Sequence, residues 1–129
     1  MIRLLLIDDE PRVARALEFA VTGHDVELAT ISTPISIHSE IEKQVAAIAP
    51  DAILLDLGLV GTNGLDVCRL LKRDSRTGNL PVLVLSGQTD PQTKAASFAA
   101  GADDFIAKPF IPTELLARVE AQLKRGPVR

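Results

Sequence analysis

The chain has 129 residues, a length typical of one domain, and its 47% content of hydrophobic residues is enough for a substantial core. A formal net charge of -3 argues against a general nucleic-acid-binding surface, and no apolar run approaches the roughly 20 residues of a membrane span. The single cysteine excludes an internal disulfide framework, and with only two histidines the composition disfavours a structural zinc site. We therefore expect a soluble, cytoplasmic domain.

The first half of the chain alternates apolar runs with helical patterns. The run IRLLLI at 2–7 predicts a strand that is buried on both faces. Pro11 suits the first turn of the next helix and Gly23 suits its end. The apolar face of this helix is predicted to contain Val13, Leu17 and Ala20. A second strand is expected at 26–30, and it is followed by a helix whose stripe contains Ile37, Ile41, Val45 and Ile48.

The second half repeats the alternation, with strands predicted at 52–56, 81–86 and 105–107. A helix between the first two of these strands is indicated by Leu65, Cys68 and Leu71, so Cys68 is interpreted as a core residue rather than a reactive thiol. Asp90 before Pro91 marks the start of the next helix, and Gly101 marks its end. The last helical stripe contains Leu115, Leu116, Val119 and Leu123. Five strand–helix alternations predict a parallel sheet with helices on both faces.

Polar residues stand where the predicted strands end. Asp8 and Asp9 follow the first strand, Asp56 ends the third, Ser86 ends the fourth and Lys108 follows the fifth. Taken alone, Asp8 and Asp9 are better explained as exposed turn residues. In a parallel sheet, however, all carboxyl ends of the strands meet at one edge, which is where such folds bind ligands. We therefore expect three carboxylates, one hydroxyl and one lysine to converge there.

This set of groups suits phosphoryl chemistry. Carboxylate oxygens are the ligands that a hard divalent cation such as magnesium prefers. A carboxylate can also attack phosphorus and form an acyl phosphate, while a metal ion and a lysine neutralise the phosphoryl oxygens. Each part of such a site is present in the sequence.

Four motifs together resemble the receiver domain of two-component response regulators. They are LIDDE after the first strand, LLDLGLVGTNG around Asp56, VLSG at the fourth strand and GADDFIAKPF at the fifth. Each motif alone is weak, but all four in this order are highly specific, and the resemblance extends from about Ile2 to Arg125. It implies a flavodoxin-like, doubly wound fold of five parallel strands in the order 2-1-3-4-5. We assign 1–125 to the receiver domain and 126–129 to a tail or the start of a linker.

The resemblance also implies a role for each site residue. Asp56 would be the phosphoacceptor, and Asp8 and Asp9 would hold magnesium or manganese together with Asp56 and the main-chain carbonyl of Gly58. Gly58 and Gln88 occupy the two positions that help set the lifetime of the phosphate in this family.

Further residues would act on the phosphoryl group or respond to it. Ser86 and Lys108 are expected to contact the phosphoryl oxygens, and Phe105 occupies the position of the aromatic switch residue. A cis peptide bond is expected between Lys108 and Pro109. We also predict that Phe105 turns inward in part of the molecules without phosphate, since phenylalanine lacks the hydroxyl of the tyrosine common at this position.

The implied function is a phosphorylation-dependent signalling switch. A histidine kinase or a phosphotransfer protein would donate the phosphoryl group to Asp56, and the domain would assist only its own phosphorylation and dephosphorylation. No nucleic acid or membrane is expected as a partner of this domain. The resemblance also suggests a phosphate-dependent homodimer, whose charge pairs would join Lys94 to Glu114 and Asp104 to Arg118 of two copies. Ordinary solvated charges are an equally good explanation of these four residues.

Other functions fit the sequence less well. A receiver fold that binds a partner without being phosphorylated is the main alternative. An aspartyl-phosphate phosphatase would need a second aspartate where this chain has Gly58, and Ser86 lacks the glycine that precedes a hydrolase nucleophile. The glycines at 58, 61 and 64 match no nucleotide-binding motif. His24 and His38 are interpreted as solvated surface residues.

Overall fold

The computed structural model describes residues 1–32, 40–59 and 61–125. Five parallel strands form one sheet in the order β2-β1-β3-β4-β5, which confirms the predicted strand order. The elements follow one another along the chain as β1 (Ile2–Ile7), α1 (Pro11–Val21), β2 (Val26–Ile31), α2 (Ile41–Ile48), β3 (Ala52–Asp56), α3 (Gly64–Arg73), β4 (Val82–Ser86), α4 (Pro91–Ala99), β5 (Asp104–Ala107) and α5 (Pro112–Arg125).

Side chains that alternate along the central strands form two separate core layers, because successive residues of a strand point to opposite faces of the sheet. Leu5 and Leu55 pack with α2 and α3 on one face. Leu6 and Leu54 pack with α1 and α5 on the other. Every residue of β3 and β4 is buried, as expected for strands covered on both faces. The apolar runs in the sequence therefore reflect burial on two sides.

Four of the predicted stripe residues are half-buried rather than buried, namely Ala20, Ile48, Leu65 and Leu123. In α1 the buried residues are Val13, Leu17 and Val21, whereas Ala20 is only half-buried. A four-residue spacing continues the buried line to Val21, and Ala20 lies beside that line. In α3 Leu65 is half-buried because it faces a cavity at the carboxyl edge of the sheet.

Most other predicted core positions are confirmed. Cys68 is fully buried, and its Sγ lies 3.6 Å from the carbonyl oxygen of Ala100, so it is a core residue. Among the remaining stripe residues, those that are buried are Ile41, Val45, Leu71, Leu115, Leu116 and Val119. Ile48 and Leu123 are half-buried and pack against the two core layers. Ile37 and His38 lie outside the described residues.

Two capping residues fix where the helices next to the carboxyl edge of the sheet begin. Asn63 accepts a hydrogen bond from the backbone N–H of Leu65 at the start of α3, and Asp90 accepts one from Thr93 at the start of α4. In the described part of the chain, no helix has the length and apolar character that crossing a membrane would require.

Candidate functional site at the carboxyl edge of the sheet

Asp56 is the most buried carboxylate at the carboxyl edge of the sheet, with 2% of the residue exposed. It is the last residue of β3, and its side chain makes two hydrogen bonds that fix its orientation. The Lys108 ammonium donates to Asp56 Oδ2 at 2.5 Å, and the backbone N–H of Gly58 donates to Oδ1 at 2.8 Å. Lys108 is 52 positions away in sequence and reaches Asp56 from the connection between β5 and α5. The fold thus places a cation directly against this carboxylate.

Asp8 follows β1, the strand next to β3, and only 4% of it is exposed. Its Oδ1 accepts a hydrogen bond from the backbone N–H of Glu10 at 3.0 Å, but its Oδ2 is buried without a partner. Burial raises the pKa of Asp8 to about 7, and so does the neighbouring Asp56, because only a protonated Asp8 can donate a hydrogen bond to that carboxylate. Ionised Asp8 therefore has a buried oxygen that is available to a proton or to a cation.

The donor atoms at this edge fit a hard divalent cation. Asp8 contributes the unpartnered oxygen, Asp9 is half-buried beside it, and Asp56 ends the adjacent strand. Within the described ranges, no three or more histidine, cysteine, aspartate or glutamate side chains are already clustered as a metal site. Magnesium in proteins is commonly held by one or two carboxylates together with water.

Ser86 ends β4 and is buried, and its hydroxyl is engaged with its own loop. Ser86 Oγ donates to the carbonyl oxygen of Gln88 at 3.1 Å and accepts from the backbone N–H of Gln88 at 3.0 Å. Contact with a group bound at Asp56 would require the hydroxyl to leave the carbonyl of Gln88. The position of this hydroxyl can therefore differ between two states of the site.

A cavity of about 430 Å³ joins Asp56, Gly58, Ser86 and Lys108. Asp8 and Asp9 are not part of its wall. The wall also contains residues at the starts of α3 and α4 that the sequence analysis did not assign to the site: Asn63, Asp90, Gln92 and Thr93. The sequence indicated that Asp90 starts a helix but not that it lies near the site, and it predicted no function for Asn63.

Gly58 borders the Asp56 carboxylate so closely that a side chain there would affect it. A Cβ atom on Gly58 would lie 3.2 Å from Asp56 Oδ1. The absence of a side chain therefore leaves this side of the carboxylate open.

Phe105 lies on β5 with its ring buried, and 8% of the residue is exposed. The ammonium of Lys94, on α4, lies 5.8 Å from the centroid of this ring. The Lys108–Pro109 peptide bond that follows β5 is cis, as the resemblance implies.

The four charges of the predicted dimer surface lie together within one chain. Arg118 donates to both carboxylate oxygens of Asp104, at 2.9 and 3.0 Å, and to Glu114 at 3.3 Å. With Lys94 they border a cavity of about 410 Å³ between α4, β5 and α5. Pairing across a dimer would thus require Arg118 to exchange partners, so the predicted pairs remain a prediction.

The sequence model of the family described as response regulator receiver domain matches residues 4–120 of the chain. The chain belongs to this family. The receiver domain is 40% identical over 124 residues to the DNA-binding response regulator MtrA of Mycolicibacterium smegmatis. It is also 40% identical over 129 residues to RpaA of Synechocystis, a DNA-binding dual master transcriptional regulator. These alignments cover 96% and 97% of this chain but 51% and 50% of the two proteins, so the chain spans about half the length of these curated relatives.

A solved structure shares the fold over nearly the whole receiver domain. A Chloroflexus aurantiacus protein described as a response regulator superposes with a TM-score of 0.84 at 36% identity. That alignment covers 96% of this chain and 98% of the other. The predicted flavodoxin-like fold and the predicted family are both confirmed, and the chain is a response regulator receiver domain.

Proposed function

We propose that this receiver domain accepts a phosphoryl group on Asp56 and acts as a switch that the phosphoryl group controls. The contact of Asp56 with Lys108 carries the proposal, because it holds a buried carboxylate beside a cation at an open cavity. A carboxylate in that setting is oriented for attack, and its oxygens lie beside a charge that can neutralise a phosphoryl group.

In the proposed reaction, one oxygen of Asp56 attacks the phosphorus of a phosphohistidine. The new bond joins that oxygen to phosphorus, and the bond between phosphorus and the imidazole nitrogen breaks. The nitrogen keeps the electron pair, so the donor histidine leaves in its unphosphorylated form. Lys108 then binds a phosphoryl oxygen, and Ser86 gives up the carbonyl of Gln88 to donate a hydrogen bond to another.

Asp8, Asp9, Asp56 and the carbonyl of Gly58 are the proposed ligands of a magnesium or manganese ion. Receiver domains generally bind magnesium at the phosphorylation site, and the unpartnered buried oxygen of Asp8 supports such a role here. The ion would supply positive charge that offsets repulsion between these carboxylates and the incoming phosphoryl group.

The proposed partners follow from the family. A histidine kinase or a phosphotransfer protein would supply the phosphoryl group, and the domain would catalyse nothing beyond its own phosphorylation and dephosphorylation. We assign it to the cytoplasm and propose no direct binding of nucleic acid or membrane by this domain. MtrA and RpaA are DNA-binding proteins, so a DNA-binding part is the output that we propose for the whole regulator.

We also propose a phosphate-dependent homodimer through the surface of α4, β5 and α5. Lys94 of one copy would meet Glu114 of the other, and Asp104 would meet Arg118. The exposed apolar side chains of Phe98 and Ile111, which border the same cavity, support this choice of surface. A twofold interface uses each pair twice, so weak contacts add to the buried apolar area.

Intact-mass spectrometry after incubation with acetyl phosphate and magnesium tests the acceptor. The wild-type chain should gain one phosphoryl group, and Asp56→Asn should gain none. Asp51→Asn is the matched control, since Asp51 is an exposed aspartate at the opposite edge of the sheet. If the wild type stays unmodified, the alternative of a binding module that works without phosphorylation is favoured.

A further inference from the structure

We propose that Lys94 holds the Phe105 ring in its buried position before any phosphoryl group arrives. The inference rests on the proposed role of Phe105 as the switch residue. A cation close to the face of an aromatic ring is attracted by the negative charge density of that face. Since Lys94 belongs to α4 and Phe105 to β5, this contact connects the helix to the ring.

The distribution of charge around the ring explains why Lys94 interacts with it. The two carboxylates that line the same cavity as Lys94 are Asp104 and Glu114, and Arg118 binds both. In the described part of the chain, no carboxylate oxygen lies within 4.0 Å of the Lys94 ammonium. The Lys94 ammonium instead lies over the Phe105 ring. Arg118 therefore acts indirectly, because it keeps Asp104 from drawing Lys94 off the ring.

Burying the Phe105 ring carries no cost of polar desolvation. Phenylalanine carries no hydroxyl, so the inward position leaves no polar group without a hydrogen bond. Phe105 packs in the core layer formed with α3 and Val84, its neighbour across the sheet. Core packing and Lys94 thus act in the same direction, and neither needs a phosphoryl group. The switch side chain of this domain is therefore set inward in the resting state.

Fluorine NMR of the chain labelled with 4-fluorophenylalanine tests this directly. The four phenylalanines give four signals, and Phe105→Leu identifies the one that reports the switch. The change in shift between H₂O and D₂O measures how exposed each ring is to solvent, and Phe19, which is 86% exposed, provides an internal reference for an exposed ring. No phosphoryl donor is present, so the result does not depend on whether Asp56 is the acceptor.

The expected outcomes separate charge from bulk. The wild-type Phe105 signal should show a buried ring, and Lys94→Met should lower the inward-to-outward ratio about two- to fivefold. Lys94→Arg should restore the wild-type signal because it keeps the cation. Arg118→Gln should act like Lys94→Met, since it frees Asp104. A Lys94→Met signal identical to wild type, or an exposed ring in the wild type, would overturn the proposal. Lys94 and Arg118 have exposed or half-exposed side chains, whereas Phe105→Leu changes a buried residue and serves only to assign the signal; circular dichroism checks that every variant folds.

Discussion

Replacing Asp8 by asparagine should stabilise the receiver domain at pH 8 in the absence of divalent cations. Ionised Asp8 has a buried oxygen without a partner and lies beside the Asp56 carboxylate. The asparagine amide carries no charge and can donate a hydrogen bond to Asp56, as a protonated Asp8 would. The substitution therefore removes a repulsion while it keeps the shape of the side chain.

The magnitude follows from the pKa of Asp8, which rises from 3.8 to about 7 on folding. The folded chain then keeps a proton that the unfolded chain has already lost, so this group contributes stability below pH 4 that disappears as the pH rises through 7. Each pKa unit is worth about 1.4 kcal/mol, so the free energy of unfolding loses up to about 4 kcal/mol over that range. About 2 to 3 kcal/mol of this falls between pH 5 and 8.

Urea denaturation followed by far-UV circular dichroism, at several values between pH 5 and 8, measures the effect. The chain contains no tryptophan or tyrosine, so circular dichroism is the convenient signal. The stability of the wild type should fall relative to Asp8→Asn as the pH rises, and the control Asp25→Asn, which alters an exposed carboxylate, should follow the wild type. At pH 8, magnesium at ten times its dissociation constant should add about 1.4 kcal/mol to the wild type and little to Asp8→Asn. Parallel pH curves for wild type and Asp8→Asn would refute the reasoning.

Three further predictions test other parts of the structure. Ala49, which follows α2, has a left-handed backbone with φ of 55°. Ala49→Gly should therefore raise the free energy of unfolding by about 0.5 to 1 kcal/mol in the same urea assay. The control Ala47→Gly, inside the helix, should lower the free energy of unfolding by about 1 kcal/mol. Lys108→Ala should lower stability by about 1 to 3 kcal/mol, because Asp56 then stays buried without its cation; an unchanged denaturation midpoint contradicts this. Arg118→Glu should abolish a phosphate-dependent dimer in sedimentation experiments, and the double variant Arg118→Glu with Asp104→Arg should restore it. A dimer that Arg118→Glu does not weaken excludes this surface.

The sequence by itself determined the fold and the place of the site. Continuous apolar runs such as 2–7 indicate strands buried on both faces, and their alternation with helical stripes leaves a parallel sheet as the consistent arrangement. Because parallel strands end at one edge, the positions of Asp8, Asp56 and Lys108 at or just after the ends of strands were enough to predict their convergence. These features could be predicted because they depend on local periodicity and on one general rule of topology.

The partners and charge states of these residues were decided only by the tertiary structure. The bond between Lys108 and Asp56 joins residues 52 positions apart, and the pKa of Asp8 depends on burial and on a neighbouring strand. Likewise, the resemblance suggested that Arg118 pairs with Asp104 of a second copy, but in the folded chain Arg118 binds Asp104 of its own copy. Side-chain pairing follows distances of a few ångströms between elements packed together, and no periodicity along the chain encodes those distances.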